Sequence, residues 1–252
     1  MDSRLSVVIP ARNEPYLQKT IDDLFSKAKG EIEVIVNLDG YLPPLDPRVI
    51  YIHRSVARGM RNGINSAVAL AKGKYIMKLD AHCMVDEGFD LKVVQNCAPQ
   101  TVVIPRRYRL DPEKWEIIQD GRPPIDRMYL TKDFHGKDWQ TGNTEALVEE
   151  TPSSQGSCWV MEKEYFEYLE LLDEETYGTF FSEFQEIGFK AWLSGGRVLV
   201  DKNTWYAHWH KDRRGYTLDE EEKPKAESAV KDFSWHKQIH PVSWFWEKFP
   251  MP

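Results

Sequence analysis

The stretch Leu79-Asp80-Ala81-His82-Cys83 begins where an apolar run, residues 75–77, ends. A carboxylate and an imidazole two residues apart at the end of a strand can project side by side into a cleft. Oxygen and nitrogen donors placed in this way can share one divalent cation, for which Mn²⁺ is the first expectation and Mg²⁺ the alternative. Alone, an Asp-x-His triplet is weak evidence, because acidic residues commonly end strands. The rest of the chain decides whether this triplet is a metal motif.

Strand and helix patterns alternate through the first hundred residues. Apolar strands are predicted at residues 5–9, 32–36, 49–52 and 75–79. Apolar residues at helical spacing lie between them, at residues 17–28 and 64–71. Continuous apolar strands separated by helices indicate a parallel sheet that is covered on both faces. The pattern therefore predicts an α/β, Rossmann-like domain with a mostly parallel central sheet flanked by helices, and ligands are expected beyond the carboxyl ends of its strands.

The second half is less regular. A short strand is predicted at residues 102–104, and a polar excursion at 110–150 is expected to form a lid or an acceptor loop. A helix is predicted over Phe181–Leu193, followed by a strand at 197–200 and a solvated charged segment at 219–225. The C-terminal aromatic residues are expected to pack back on the body: Trp235, Trp244, Phe245, Trp246 and Phe249.

No break in composition marks a linker, so one domain is expected over residues 1–252. Within it we expect a nucleotide-binding half at 1–100, an acceptor and metal half at 101–216, and a C-terminal extension at 217–252. Hydrophobic residues make up 41% and charged residues 29% of the chain, as in ordinary soluble globular proteins. The net charge of −7 argues against a general basic coat for nucleic acid but leaves room for a local basic groove.

Three cysteines form no even, closely spaced framework, which favours a reducing compartment. Residues 1–4 lead straight into a strand with no apolar segment of signal-peptide length. No apolar run approaches the length that spans a bilayer. We therefore expect a cytoplasmic protein with no stable membrane insertion.

Further motifs carry a family resemblance. Residues 7–14, Val-Val-Ile-Pro-Ala-Arg-Asn-Glu, resemble the opening strand and loop of family-2-type glycosyltransferases with the GT-A fold. The triplet 80–82 resembles the Asp-x-His metal motif of the polypeptide N-acetylgalactosaminyltransferases, and residues 183–196 are similar to that family's Glu-Asn-x-Glu…Arg-x-Trp…Gly-Gly segment. His208 falls where the family places its third metal ligand. The resemblance runs from about Leu5 to Tyr216, with residues 106–150 poorly matched.

This resemblance implies a metal-dependent glycosyltransferase that moves a sugar from a nucleotide donor, expected to be UDP-linked, to a hydroxyl group. Asp80, His82 and His208 are the implied metal ligands, and Asp80 is also a catalytic candidate. A divalent cation there would neutralise charge that grows on the departing diphosphate. For His208 the alternative is a buried structural histidine, and His210 is expected to support the ligands rather than join them.

The donor is expected to lie along the strand ends. Asp39 can accept hydrogen bonds from the nucleobase or ribose, although an ordinary Asp-Gly turn is the alternative. In the family the segment around Gly156 carries a Gly-Gly pair that lines the donor sugar; here Ser157 replaces the second glycine, so the sugar's identity does not carry over. The predicted donor-binding residues are Pro10, Arg12, Glu14, Asp39, Arg58, Arg61, Gly156, Ser157, Lys211 and Tyr216.

Glu183 is the main catalytic candidate. In inverting relatives an acid near this point takes the acceptor proton, whereas in retaining relatives the corresponding Glu positions the substrates, so the stereochemical outcome is left open. The alternative is an acid that only complements a helix dipole. Trp159, Glu186 and Arg107 are predicted to contact the acceptor. Trp159 could instead join the core, and Glu186 could instead orient Lys190.

The acceptor is left open by the sequence. The family's N-acetylgalactosaminyl members carry a membrane anchor and a lectin domain that this chain does not show, so a polypeptide acceptor is not expected. A glycan, a small molecule or a hydroxymethylated DNA base are the candidates, the last because of positive charge at residues 106–109 and 211–214. Two other classes are weighed: a nucleotidyltransferase, which would need a glycine-rich loop at residues 11–14, and a non-catalytic nucleotide- or sugar-binding module, which would not need the metal ligands.

Overall fold

The structure, a computed structural model, describes residues 4–142, 144–214 and 216–251, and these form twelve strands and eight α-helices. The expectation for residues 1–3 lies outside the described ranges. The strands are β1 (Leu5–Ala11), β2 (Ile32–Asp39), β3 (Ile50–Arg54), β4 (Tyr75–Leu79), β5 (Cys83–Val85), β6 (Thr101–Asp111), β7 (Glu116–Ile117), β8 (Met128–Leu130), β9 (Gly136–Asp138), β10 (Val148–Glu150), β11 (Cys158–Glu162) and β12 (Arg197–His208). The helices are α1 (Leu17–Lys27), α2 (Met60–Leu70), α3 (Phe89–Gln95), α4 (Lys163–Tyr168), α5 (Glu174–Tyr177), α6 (Glu183–Leu193), α7 (Glu222–Lys231) and α8 (Val242–Lys248).

One ten-stranded sheet runs through the molecule in the order β10-β12-β6-β11-β4-β1-β2-β3, with β5 and β7 attached at its side. The four strands β4, β1, β2 and β3 are all parallel. Parallel strands that follow one another need crossover helices, and α1 and α2 supply two of them. The predicted α/β fold with a mostly parallel sheet flanked by helices is confirmed. The carboxyl ends of β1, β2 and β4 consequently meet at one edge.

The other half of the sheet is mixed. β11 runs antiparallel to both β4 and β6, whereas β6 and β12 are parallel. β12 continues to His208, well beyond the predicted strand at 197–200, across a register shift between Asp201 and Trp205. The buried Asp201 carboxylate accepts hydrogen bonds from Asn96 Nδ2 at 2.7 Å and Asn203 N at 2.9 Å. These hydrogen bonds satisfy the polar side chains that interrupt the apolar pattern. The strand can therefore continue to His208.

The expectation for the segment at 110–150 is corrected, because it contains the short strands β7 to β10, and β8 and β9 form a hairpin with Phe134 in its turn. Each strand of this hairpin is only three residues long, which is too short to show a strand pattern in the sequence. The charged segment at 219–225 is mostly exposed, as predicted. Helix α7 begins within it at Glu222 and buries Ala226 and Val230 against the body.

The core lies on both faces of the sheet. Alternate residues of β1 point to opposite sides, so that Val8 joins one apolar cluster while Val7 and Ile9 join the other. The C-terminal aromatics cover the first cluster, with Phe245 buried and its ring centroid 5.0 Å from that of Phe189. The predicted packing of the C-terminus on the body is confirmed.

The cysteines Cys83, Cys97 and Cys158 are free and buried, in keeping with the predicted absence of a disulfide framework. Among the described residues, no helix combines the length and the apolar character that crossing a bilayer requires.

A buried charge cluster joins α2 to α6. Glu186 is fully buried; Arg61 Nη1 donates to its Oε2, and Lys190 Nζ donates to its Oε1 at 2.7 Å. The backbone N–H of Asp173 donates to the same Oε1 at 3.0 Å. Arg61 also donates to the carbonyl of Phe181, which fixes the loop that enters α6. Removing one member of such a cluster leaves uncompensated buried charge.

We therefore expect Glu186→Leu to lower the free energy of unfolding by about 3–5 kcal/mol, since two buried cations lose their partner. Urea denaturation of the purified variants measures this. Glu87→Gln is the control, because Glu87 pairs with Lys29 at an exposed surface where both side chains are more than half exposed. Equal, small shifts for the two variants would show that the buried cluster contributes nothing to stability.

Candidate active site

A cavity of 820 Å³ opens at the carboxyl ends of β1, β2 and β4, beside the end of β12. Its floor includes residues 10–12, Asp39 and residues 80–82, which lie at or just beyond the carboxyl ends of those strands. One wall is the entrance to α6, and the opposite wall is the segment that follows β12. The parallel half of the sheet therefore places the predicted motifs in a single concave site.

Three predicted metal ligands converge in this cavity. His208 Nε2 lies 3.2 Å from Asp80 Oδ2 and 3.1 Å from His82 Nε2, and His82 Nε2 lies 3.9 Å from the same Asp80 oxygen. His82 and His208 are buried, and Asp80 is partly exposed toward the cavity. Although 126 residues separate the histidines, pairing of His208 with Cys83 across β12 and β5 brings them together.

The chemistry of the donor set fits a divalent cation. Two ligands at right angles, each about 2.1 Å from an octahedral ion, stand about 3.0 Å apart, close to the separations between His208 and its two neighbours. Imidazole nitrogens with one carboxylate oxygen suit a first-row transition ion such as Mn²⁺. Burial lowers the pKa of His208 to about 3 against the opposing effect of Asp80, so its ring is neutral at pH 7, as a ligand must be.

Glu14 contacts the predicted ligand His82 from the second side of the ring. His82 Nδ1 lies 3.0 Å from Glu14 Oε2, a carboxylate oxygen that can accept the Nδ1–H of the ring and leave the lone pair of Nε2 facing the cavity. Lys211 Nζ donates to the other oxygen of Glu14 at 2.5 Å. Glu14 and Lys211, both predicted donor-binding residues, thus join the β1 loop to the segment after β12. His210 packs edge-on against His208, with ring centroids 4.7 Å apart.

Lys78 is the functional candidate that the sequence analysis missed. It is the one charged residue within β4, it is 1% exposed, and its Nζ donates to Asp80 Oδ1 at 2.6 Å and to the carbonyl of Gly156. Burial opposes its charge, but Asp80 and Glu183 raise the pKa of Lys78, so it is an ammonium. Its position was a usable signal: residues 78 and 80 share one face of a strand, and a lone lysine inside an apolar strand needs a buried partner.

Glu183 opens α6 and faces the same ammonium. Its Oε1 lies 3.7 Å from Lys78 Nζ and accepts a hydrogen bond from Trp159 Nε1 at 2.8 Å. Burial raises the pKa of Glu183, while Lys78 and Trp159 oppose the shift. A Cβ placed on Gly156 would come within 3.4 Å of Glu183 Oε2, so this glycine leaves the carboxylate accessible from the cavity. The Glu183 carboxylate is therefore buried, oriented by the hydrogen bond from Trp159, and close to the proposed metal ligands.

Other predicted donor-binding residues lie around the far end of the cavity. The buried Asp39 carboxylate accepts from the backbone N–H groups of Arg58 at 2.7 Å and Gly59 at 2.9 Å, which holds the start of α2 against β2. The Arg12 guanidinium stacks over the Tyr216 ring at 4.8 Å. Pro10, Arg12, Asp39, Arg58 and Tyr216 all line the cavity.

Five predicted site residues do not line it. Arg61 and Glu186 form the buried cluster beneath the α6 entrance, and Trp159 is fully buried, where it orients Glu183. Ser157 is buried, with its hydroxyl 2.7 Å from that of Tyr206. Arg107 lies on β6, behind the cavity wall. The structure thus does not place Trp159, Glu186 or Arg107 where an acceptor would touch them, and their predicted roles remain untested.

The arginine run on β6 is largely engaged within the protein. Arg106 makes a two-point ion pair with Asp126, Nε to Oδ1 at 2.6 Å and Nη2 to Oδ2 at 2.8 Å. Arg109 Nη1 donates to the carbonyl of Pro123 at 3.0 Å. These contacts anchor the excursion at 110–150 to the sheet, and the charge of Arg106 is balanced within the protein by Asp126.

Several N-acetylgalactosaminyltransferases are similar to this chain in sequence. Probable N-acetylgalactosaminyltransferase 8 of Caenorhabditis elegans is 27% identical over 198 residues, which cover 74% of this chain and 44% of the relative. Polypeptide N-acetylgalactosaminyltransferase 11 of Xenopus tropicalis is 25% identical over 240 residues, covering 84% of this chain and 39% of the relative. This chain therefore spans less than half the length of these relatives.

Solved structures show the same fold. GalNAc-T7 with UDP, GalNAc and Mn²⁺ superposes with a TM-score of 0.77 at 19% identity, over 97% of this chain and 54% of that one. A mannosyltransferase from Pyrobaculum calidifontis in complex with GDP-Man and Mn²⁺ gives a TM-score of 0.58 at 14% identity, over 84% of this chain and 58% of that one. The sequence family described as Glycosyl transferase family 2 matches residues 6–169, well over half of the chain. This protein accordingly belongs to glycosyl transferase family 2, with the GT-A fold.

Proposed function

We propose that this protein transfers a sugar from a nucleotide-sugar donor to a hydroxyl acceptor and requires a divalent cation for the reaction. The observation that carries the proposal is the convergence of Asp80, His82 and His208, with ligand atoms all within 4.8 Å of one another, in the cavity that also holds Asp39 and Arg12. The GalNAc-T7 and mannosyltransferase structures contain a nucleotide or nucleotide sugar together with Mn²⁺, which supports the same pairing here.

The donor is proposed to lie along the strand ends. Its nucleoside would sit between Asp39 and the Arg12–Tyr216 stack, and its diphosphate would reach toward the ligand triad and Lys211. When bound, the cation would supply positive charge to the diphosphate as it leaves the sugar. UDP is the proposed carrier, on the strength of the GalNAc-T7 structure that contains UDP.

Glu183 is proposed to act at the sugar. The carboxylate faces Gly156 and is kept nearly free of water by its burial, so it can orient a hydroxyl group or accept a proton from one. Trp159 fixes its direction through the hydrogen bond to Oε1. Either an inverting or a retaining reaction is compatible with a carboxylate in this place.

The acceptor is proposed to be a hydroxyl compound without phosphate groups. Beyond Glu183 the cavity is lined by aromatic rings, among them Phe134 and Phe184, which suit a neutral acceptor. Its exposed acids are Asp133, Asp212, Asp219, Glu220 and Glu227, and they outnumber its exposed cations, Arg58, Arg214 and Lys223. With Arg106 paired to Asp126 as well, a hydroxymethylated DNA base is the less favoured acceptor. Membership of glycosyl transferase family 2 argues against a nucleotidyltransferase. The loop at residues 11–14 argues the same way, because it contains no glycine.

His208→Ala should weaken Mn²⁺ binding in the presence of UDP by at least about tenfold, because only two of the three proposed protein ligands would remain. Isothermal titration calorimetry, with EDTA-treated protein as the starting point, measures this. His236→Ala is the matched control, since that imidazole is exposed and pairs with Glu170 away from the cavity. Slow Mn²⁺-dependent hydrolysis of the nucleotide sugar should fall in parallel in the first variant only. Unchanged Mn²⁺ affinity in His208→Ala would remove the proposed metal site.

A duplex containing hydroxymethylcytosine should be neither bound tightly nor modified, because acids outnumber cations at the exposed rim and Arg106 is already paired with Asp126. Filter binding at 50 and 200 mM salt, with mass spectrometry of products from neutral glycosides and hydroxyl-bearing peptides in parallel, compares the acceptor classes. Tight DNA binding that weakens steeply with salt, together with transfer to the DNA, would contradict the proposed acceptor class.

A further inference from the structure

Lys78 is a buried cation placed between two carboxylates that have separate proposed roles. Its Nζ lies 2.6 Å from Asp80 Oδ1 and 3.7 Å from Glu183 Oε1, and it also donates to the carbonyl of Gly156. The side chain is 1% exposed, so water does not screen these contacts. A surface lysine could turn away from such partners, but this one is confined by the strand and by the core around it.

The two oxygens of Asp80 consequently have different surroundings. Oδ1 accepts from Lys78, while Oδ2 faces the histidine nitrogens, 3.2 Å from His208 Nε2 and 3.9 Å from His82 Nε2. Only one oxygen is therefore turned to the point where the three ligand atoms meet. On the other side, Oε1 of Glu183 is shared between Lys78 and Trp159 Nε1. The ammonium thus separates a proposed metal ligand from a proposed catalytic carboxylate.

We propose that Lys78 is a positioning residue that reserves a single oxygen of Asp80 for the cation and holds the Glu183 carboxylate outside the metal's coordination. This inference rests on the proposed function. Two carboxylates in one buried site repel each other and compete for any cation that enters. The internal ammonium balances them without occupying the cavity, which leaves Glu183 facing the sugar.

Removing this charge should have two opposite effects. In Lys78→Met, Oδ1 of Asp80 is freed and a positive charge near the metal is lost, so the affinity for Mn²⁺ in the presence of UDP should rise by about threefold or more. The value of kcat for nucleotide-sugar hydrolysis should fall by about tenfold or more, because the contact from Lys78 no longer holds the Glu183 carboxylate in place. Titration of Mn²⁺ followed by electron paramagnetic resonance measures the first effect independently of activity.

Lys190→Met is the matched control. Lys190 is also buried and also pairs with a carboxylate, that of Glu186, but it contacts neither Asp80 nor Glu183. This variant should lose thermal stability while keeping Mn²⁺ affinity and kcat near those of the wild type. If Lys78 only stabilised the fold, Lys78→Met would weaken Mn²⁺ binding and kcat together, and that result would overturn the inference.

A double variant tests the route through Glu183. If Lys78 acts on turnover by holding Glu183, adding Lys78→Met to Glu183→Gln should lower kcat no further, whereas independent effects would multiply. Should Lys78→Met fail to fold, Lys78→Gln keeps an N–H donor, removes the charge and should show the same opposite changes. Wild-type protein that neither binds Mn²⁺ with UDP nor hydrolyses any donor would instead refute the proposed function, so the two failures are distinguishable.

Discussion

The arrangement of the site depends on the Asp80 carboxylate, whose two oxygens face different partners. Asp80 accepts from the Lys78 ammonium on one oxygen and faces the imidazoles of His82 and His208 with the other. Burial alone would raise the pKa of Asp80, but Lys78 and the histidines hold it well below its usual range. The carboxylate is therefore ionised and fixed in direction, which is what a metal ligand requires.

The fold delivers these groups by simple geometry. Parallel strands bring their carboxyl ends to one edge, so residues after β1, β2 and β4 meet without long loops. His208 arrives from the distant part of the chain because β12 continues past its register shift and pairs with β5. The long pairing of β12 with β6 supports this end of the strand, and the Arg61–Glu186–Lys190 cluster stabilises the packing of α6 without contacting Asp80 or Glu183.

Much of this could be predicted from the sequence, for physical reasons that differ between elements. The strands of the parallel half are buried on both faces and therefore apolar throughout, which made their order and the ends bearing Asp39 and Asp80 predictable. The end of β12 was not predictable, because Asp201 and its polar neighbours break the apolar pattern. Their hydrogen bonds form only in the folded chain. The same limit applies to Arg61 and Trp159. Arginine and tryptophan often line binding sites, but here both side chains bind partners inside the protein. Lys78 was overlooked because one charge in an apolar strand looks like an exception until its partners are known.

The most direct test of this account is diffraction at the manganese absorption edge from crystals grown with Mn²⁺ and UDP. The account predicts one anomalous peak within bonding distance of Asp80 Oδ2, His82 Nε2 and His208 Nε2, with Asp80 Oδ1 still bound to Lys78 and Glu183 outside the coordination sphere. A peak at any other position, or a peak that includes Glu183 as a ligand, would contradict it.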